Sequence, residues 1–321
     1  MLTHRLALGT AVATAVLIVF GGLVTNTGAA LAVPDWPNTF GHNLFLYPWS
    51  GMVGGVFYEH SHRLLGATVG LLTLALAAGL WRRGGTLRVL GLVAVVTVVA
   101  QGVLGGLRVV LLREELALLH GPLAQAFFAL VATLVYLTSA AAQTTLTGSD
   151  AGLRRLAIVA AVVTYAQIVL GALLTHAGWL SLHLAGALVV FAVLPMLTAR
   201  ARRTGDVVAA PLSRVLLALL GLQAALGVGA YLARFSPIWI PGEQVTMLVL
   251  PVLHRLVGGL LLATTVVLAV RLHGISASKD VRSQRERGGT GETAGAHVAN
   301  GVRSQRERGG MGEAEGVPHL K

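Results

Sequence analysis

Apolar residues fill eight long runs along the chain, at approximately 6–25, 57–80, 87–109, 116–140, 153–175, 180–199, 212–234 and 247–270. Each is close to the ~20 apolar residues that carry a helix across a bilayer core. Lipid offers backbone N–H and C=O groups no partner, so a spanning run must bond within itself as a helix; the period-two alternation of strands is absent. The pattern predicts an all-α polytopic membrane protein with eight transmembrane helices. The longest connection between runs, 26–56, carries Trp36, Phe40, Phe45, Tyr47 and Trp49 together with Pro34, Pro37 and Pro48. It reads as an interfacial lid, in the manner of aromatic belts at membrane surfaces.

Composition agrees: 55% hydrophobic and 12% charged residues, with a mean hydropathy of +0.75, lie far from the soluble globular range. The net charge of +11 is carried by short loops and the tail. Arg82, Arg83 and Arg88, then Arg154 and Arg155, then Arg200, Arg202, Arg203 and Arg214 mark three connections as cytoplasmic, which puts both termini inside a cell (inner) membrane. Those arginines are accounted for by orientation, and no nucleic-acid recognition module accompanies them. The absence of cysteine excludes disulfides, thiolate-bound clusters and cysteine nucleophiles. Residues 4–32 have the layout of a secretory leader, but their apolar run is longer than a leader core and is expected to remain as the first span. From about residue 275 the chain turns polar, and VRSQRERGG from Val281 recurs at Val302; 275–321 is expected to be a disordered cytoplasmic tail, with anionic lipids as a secondary contact.

A second repetition lies inside the membrane. Odd runs contain Gln101-Gly-Val-Leu-Gly105, Gln167-Ile-Val-Leu-Gly171 and Gln223-Ala-Ala-Leu-Gly227, with a looser Phe20-Gly21-Gly22 in the first. Even runs carry one histidine each, two of them in nearly the same words, His62-Arg-Leu-Leu-Gly66 and His254-Arg-Leu-Val-Gly258. The chain therefore reads as two tandem four-helix bundles, 1–145 with its outer loop 26–56 and 146–274.

His62, His120, His183 and His254 all fall near the outer ends of their runs. Neutral imidazole is a good iron ligand, and a porphyrin held between two helices takes one nitrogen from each side of its plane. One histidine on each of two helices per bundle meets that need. The small residues four positions on, Gly66, Ala124, Ala187 and Gly258, share the histidine face of their helices and are expected beneath the ring edge of a macrocycle. A single intramembrane histidine serves equally as a polar bridge between helices; four at matched positions favour ligation. All four on one side implies two cofactors abreast in one leaflet, since one layer does not span a core of ~30 Å.

Glu59 precedes His62 by three residues, a spacing that directs both side chains to one pocket. There a carboxylate stabilises positive charge or relays a proton; its alternative role is interfacial, bonding His60 or Arg63. No acid stands in the same position before His254, so the two halves are expected to differ. Arg63, Arg108, Arg234 and Arg255 are candidate contacts for heme propionates, with snorkelling as the alternative. His42, His60 and His176 read as surface histidines, with hydrogen bonding to propionates or proton relay as the alternative.

The stretch Glu59-His60-Ser61-His62-Arg63 resembles the E-x-x-H-R motif of heme A synthases of the CtaA type, and Pro34-Asp35-Trp36-Pro37 resembles that family's P-D-W-P. The resemblance runs over about residues 5–272. It implies a membrane-bound heme-dependent oxidoreductase that converts a methyl group of heme O to a formyl group, giving heme A for terminal oxidase assembly by two hydroxylations and loss of water. It further implies that His62 and His120 flank the substrate heme, that His183 and His254 ligate a resident heme b, and that Glu59 is catalytic. Heme O synthase, terminal oxidase assembly proteins and membrane lipids are the partners it implies. Many relatives carry cysteine pairs in their outer loops; here Val33 stands before P-D-W-P instead, so a loop disulfide is excluded. The residues by themselves leave two other functions open, a b-type cytochrome passing electrons along the outer leaflet and a non-enzymatic heme carrier or chaperone.

Overall fold

Apolar runs that must bond internally, each long enough to cross the bilayer, lead to helices that alternate in direction. In the computed structural model, which describes residues 1–236 and 242–275 but not the side chains of Glu114, Arg234 and Glu243, these are α1 Leu2–Asn26, α2 Gly54–Trp81, α3 Gly85–Val110, α4 Ala117–Leu137, α5 Ala151–Ala177, α6 Leu180–Arg203, α7 Ala209–Phe235 and α8 Glu243–Leu272. All eight are long and apolar enough to cross a membrane, and the described residues contain no strand. Each predicted run lies within its helix to within a few residues. The fourth ends early, at Leu137, and Ala140–Gln143 continues it as a 3-10 turn. The tail expected at 275–321 lies outside the described residues apart from Ile275.

Local chemistry sets the ends. Asp150 accepts the Leu153 N–H at 2.7 Å and starts α5, while Gly178, at φ +75°, ends it in the left-handed conformation that a side chain disfavours. Buried hydroxyls on the helices bond back to carbonyls one turn earlier, as Thr14 does to Thr10 (2.7 Å), Thr73 to Val69 (2.7 Å) and Thr265 to Leu261 (2.7 Å). This satisfies them where no water is present.

Each helix packs on the next within α1 to α4 and within α5 to α8, and the first of each set also meets the fourth. The two sets then join through α4 and α8, with α1 against α8 and α4 against α5. Ile18, Phe128, Ala129, Leu262 and Ala263 form the core of that junction. Gln125 of α4 packs where Gly259 of α8 has no side chain, a close approach characteristic of small residues between membrane helices. Leu71, Val96 and Leu188 point outward, 63%, 67% and 74% exposed, a surface that suits lipid and would be an aggregation hazard in water.

At the end of the bundle away from the long loop lies a buried ion pair. Arg271 of α8 donates to Asp206 through Nε (2.9 Å) and Nη2 (2.6 Å), and to the carbonyls of Thr144 (2.8 Å) and Thr145 (3.0 Å). Asp206 also accepts the N–H groups of Thr147, Val208 and Ala209. One bidentate pair thus ties the α4–α5 connection, the start of α7 and the end of α8 together, with its hydrogen-bonding capacity well used.

Candidate functional site

The four histidines lie in the N-terminal halves of the even helices, which run parallel, so all four share one end of the bundle. They meet in two pairs: His62 and His120 have ring centroids 6.4 Å apart at 71°, and His183 and His254 6.3 Å apart at 69°. Among the described residues no group of three or more His, Cys, Asp or Glu side chains could hold a metal ion. A metal here must bring its remaining ligands with it, as a tetrapyrrole does. The spacing fits: two metal–nitrogen bonds of about 2.0 Å plus two nitrogen-to-centroid distances of about 1.15 Å span about 6.3 Å. The Nδ1 atoms of His62, His120 and His254 are buried without a hydrogen-bond partner, an arrangement that is costly unless a ligand rearranges it.

The imidazole edges rest against glycines of the preceding odd helices. A Cβ on Gly21 would stand 3.2 Å from His62 Cε1, on Gly105 3.6 Å from His120 Cε1, on Gly171 3.3 Å from His183 Cε1, and on Gly227 3.0 Å from His254 Cε1. These are the closing glycines of the three repeated phrases and the first glycine of Phe20-Gly21-Gly22, whose role the sequence alone did not reveal. Around Gly66 the space is open, and Gly258 is faced by the Gln223 amide at 3.3 Å. The glutamines that open the phrases reach the same histidines. Gln101 Nε2 donates to the His120 carbonyl (3.1 Å), Gln167 Nε2 to the His183 carbonyl (2.9 Å) and ring (3.2 Å), and Gln223 Nε2 contacts His254 Nε2 (3.2 Å).

Glu59 and Arg63 secure the long loop to α2. Glu59 is 6% exposed; its Oε2 accepts the Val33 N–H at 2.9 Å and its Oε1 pairs with Arg63 at 2.7 Å. Arg63 also donates to the carbonyls of Val33 (2.9 Å), Asp35 (2.6 Å) and Asn38 (2.9 Å), so its guanidinium is spent on the loop. Trp36 covers Gly106 of α3. Asp35 accepts the N–H groups of Phe40 and Gly41, both at 2.8 Å. Its slight burial opposes ionisation, but those bonds from Gly41 and Phe40 and the nearby Arg63 charge outweigh it and hold the carboxyl below its ordinary value.

His60, read from the sequence as a surface residue, is instead 1% exposed. It bonds Thr39 Oγ1 at 3.0 Å and lies 5.0 Å from the Tyr47 ring, because the loop folds back over the first turns of α2. His42 and His176 are exposed. Arg108 lies electrostatically close to both His62 and His120, with its Nε buried and unpartnered, while Arg255 lies close to His254. The side chain of Arg234 lies outside the described residues.

The architecture defines a multi-pass helical membrane protein with two facing histidine pairs. Residues 50–180 match the COX15-CtaA family model, described as cytochrome oxidase assembly protein. Heme A synthase of Shouchella clausii (strain KSM-K16) is 33% identical over 138 residues, 41% of this chain and 44% of that protein. The matched part is therefore less than half the length of the curated relative. Over these stretches the chain is similar to the COX15-CtaA family and to a heme A synthase. The family-model match includes Glu59, His62, Arg63, Arg108 and His120, whereas His183 and His254 lie beyond it.

Proposed function

We propose that this chain is a heme A synthase, a membrane-bound oxidoreductase that oxidises a methyl group of heme O to the formyl group of heme A for terminal oxidase assembly. The observation that carries the reading is the pairing of four imidazoles at metal-spanning distance, with Glu59 and the clamped loop on the helix of His62. In this reading residues 1–145 form the substrate half and 146–274 the resident half. His62 and His120 hold heme O, and His183 and His254 hold heme b. Bound iron supplies the oxidising chemistry.

The chain's own contribution is binding, alignment and shielding. The imidazoles would fix the plane of the macrocycle, and Arg108, half-buried at the first pair with its Nε covered and unpartnered, suits a propionate. Arg255, electrostatically close to His254, is the candidate at the second pair, and Arg234 is a further propionate contact in this reading. Arg63 serves the loop, which excludes water over the substrate half. Glu59 is the catalytic carboxylate. Its two oxygens keep lone pairs beyond those used by Val33 and Arg63, so it can still stabilise positive charge developing at the oxidised carbon. The protein resides in the cell (inner) membrane with both termini cytoplasmic, and heme O synthase and oxidase assembly proteins are its functional neighbours.

The test is expression in a host that makes heme O but no heme A, followed by heme extraction. Formyl heme is the expected product, and unchanged heme O bound to well-folded protein overturns the reading. Glu59→Ala should abolish conversion while the b-type absorbance of the His183–His254 pair stays. Loss of that absorbance would show that the halves have been exchanged.

A further inference from the structure

Helices α2 and α3 pack closely near their shared turn but part just short of the first histidine pair. A Cβ on Gly91 of α3 would stand 3.2 Å from Leu80 Cδ1 and 3.5 Å from Ala77 Cα, so Ala77 and Gly91 face each other where the two helices touch. Antiparallel neighbours keep such a register, and eleven residues further on along each, about three whole turns, Gly66 stands opposite Gly102. Yet a Cβ on either glycine, or on Gly70 one turn from Gly66, would meet nothing within 4 Å among the described residues. The gap is bounded at the long-loop end, where Trp36 covers Gly106 and Arg63 holds the loop, and at the other end by Leu80 and Ala77. It opens to lipid, since Gly102 is exposed and Val99 and Val103 beside it are 56% and 46% exposed. Inward it reaches both imidazoles: Gly66 is one turn from His62, and Gly102 is one turn from Gly105, whose Cβ would stand 3.6 Å from His120 Cε1. The Nδ1 atoms of both rings are buried without a partner.

The second half is lined differently. Matching His62 with His183 and Gln101 with Gln223 places Ala187, Phe191 and Ala224 where Gly66, Gly70 and Gly102 stand. Packing does not call for glycine at those three positions, because alanine would touch nothing there and favours a helix more. We propose that the α2–α3 gap is the slot for the long isoprenoid chain by which heme O differs from heme b, so that the first pair selects the chain-bearing macrocycle and the second pair the shorter one. Glycine backbone, with valines at the lipid side, suits a flexible apolar chain, and a chain leaving the pocket directly into lipid keeps its apolar surface out of water. Gly66, Gly70 and Gly102 are specificity-determining residues. The inference rests on reading the histidines as heme ligands and the first half as the substrate half.

The test uses full-length protein purified with heme b at the second pair, titrated in detergent with heme O or with heme b and followed by the low-spin absorbance gained at the first pair. Heme O should bind about tenfold more tightly than heme b. Gly66→Leu and Gly102→Leu should each bring heme O down to the affinity of heme b and leave heme b binding unchanged. Equal affinity of the two hemes in wild-type protein, the result expected if a membrane lipid fills the slot, overturns the proposal. So does an undiminished preference for heme O in both variants. If the leucine variants fail to fold, Gly66→Ala/Gly102→Ala decides, because its methyl groups enter open space: a weakened preference supports the slot and an unchanged one overturns it. Protein that binds neither heme at the first pair overturns the ligand reading beneath the proposal, whereas selective binding of heme O without formation of formyl heme overturns only the synthase assignment.

Discussion

Alanine at Gly227 is the sharpest perturbation the structure offers, because Gly227 shows the tightest of the four glycine–histidine contacts. The new Cβ would stand 3.0 Å from His254 Cε1 and 3.5 Å from Nδ1, against an optimum of 3.5–4.0 Å between carbons. The ring must retreat by about 0.5 Å, comparable with the tolerance within which a ligand constellation works. Overpacking of this kind costs ~1–3 kcal/mol, and replacing Gly by Ala in a helix returns up to ~1 kcal/mol. Net destabilisation is therefore only about 0–3 kcal/mol, while heme affinity at the second pair should fall about tenfold or more. Heme per protein after detergent washing, read beside the thermal unfolding midpoint, separates the two effects. Gly105→Ala is the control: its Cβ would meet His120 Cε1 at 3.6 Å, an ordinary contact, and heme content should hold. Equal loss from both variants, or full retention in Gly227→Ala, would refute the argument that glycine is required there by the ring.

Gly106→Ala should free the outer loop, since its Cβ would overlap the Trp36 ring, and limited proteolysis within 33–53 should accelerate while the eight helices stay protected. Arg271→Ala should destabilise the bundle by ~3–5 kcal/mol by leaving Asp206 buried and unpaired, with the Asp206→Ala/Arg271→Ala double variant losing less than the sum of the singles in a detergent unfolding assay. Burial opposes the charge on Asp206, yet Arg271 and the N–H groups of Ala209, Val208 and Thr147 hold its carboxyl at about 2 against an ordinary 3.8. A depressed carboxylate contributes stability above its unfolded value that is lost as pH falls through its folded one, so about 2 kcal/mol should disappear between roughly pH 4 and 2. The unfolding midpoint should be flat in this respect above pH 5, and Asp206→Asn should remove that component of the acid slope.

The sequence alone determined the eight helices and the composition of each histidine pair. Lipid forces apolar runs such as 87–109 to bond internally, and tandem repetition placed one histidine on each even helix, so the pairing of His62 with His120 and His183 with His254 followed from chain order. Which faces of those helices touch was decided only by the tertiary structure. In a membrane helix leucine suits the core and the lipid equally, so apolar periodicity does not point inward as it does in water. Hence nothing in the sequence showed that Gly21, Gly105, Gly171 and Gly227 lie against the imidazoles. The long-range bonds were hidden for a related reason: Glu59 and Arg63 carry no sign that they hold Val33, Asp35 and Asn38, nor His60 that the loop buries it. Asp206 and Arg271 lie 65 residues apart, and only the closing of the bundle brings the charges close enough, and far enough from water, to require each other.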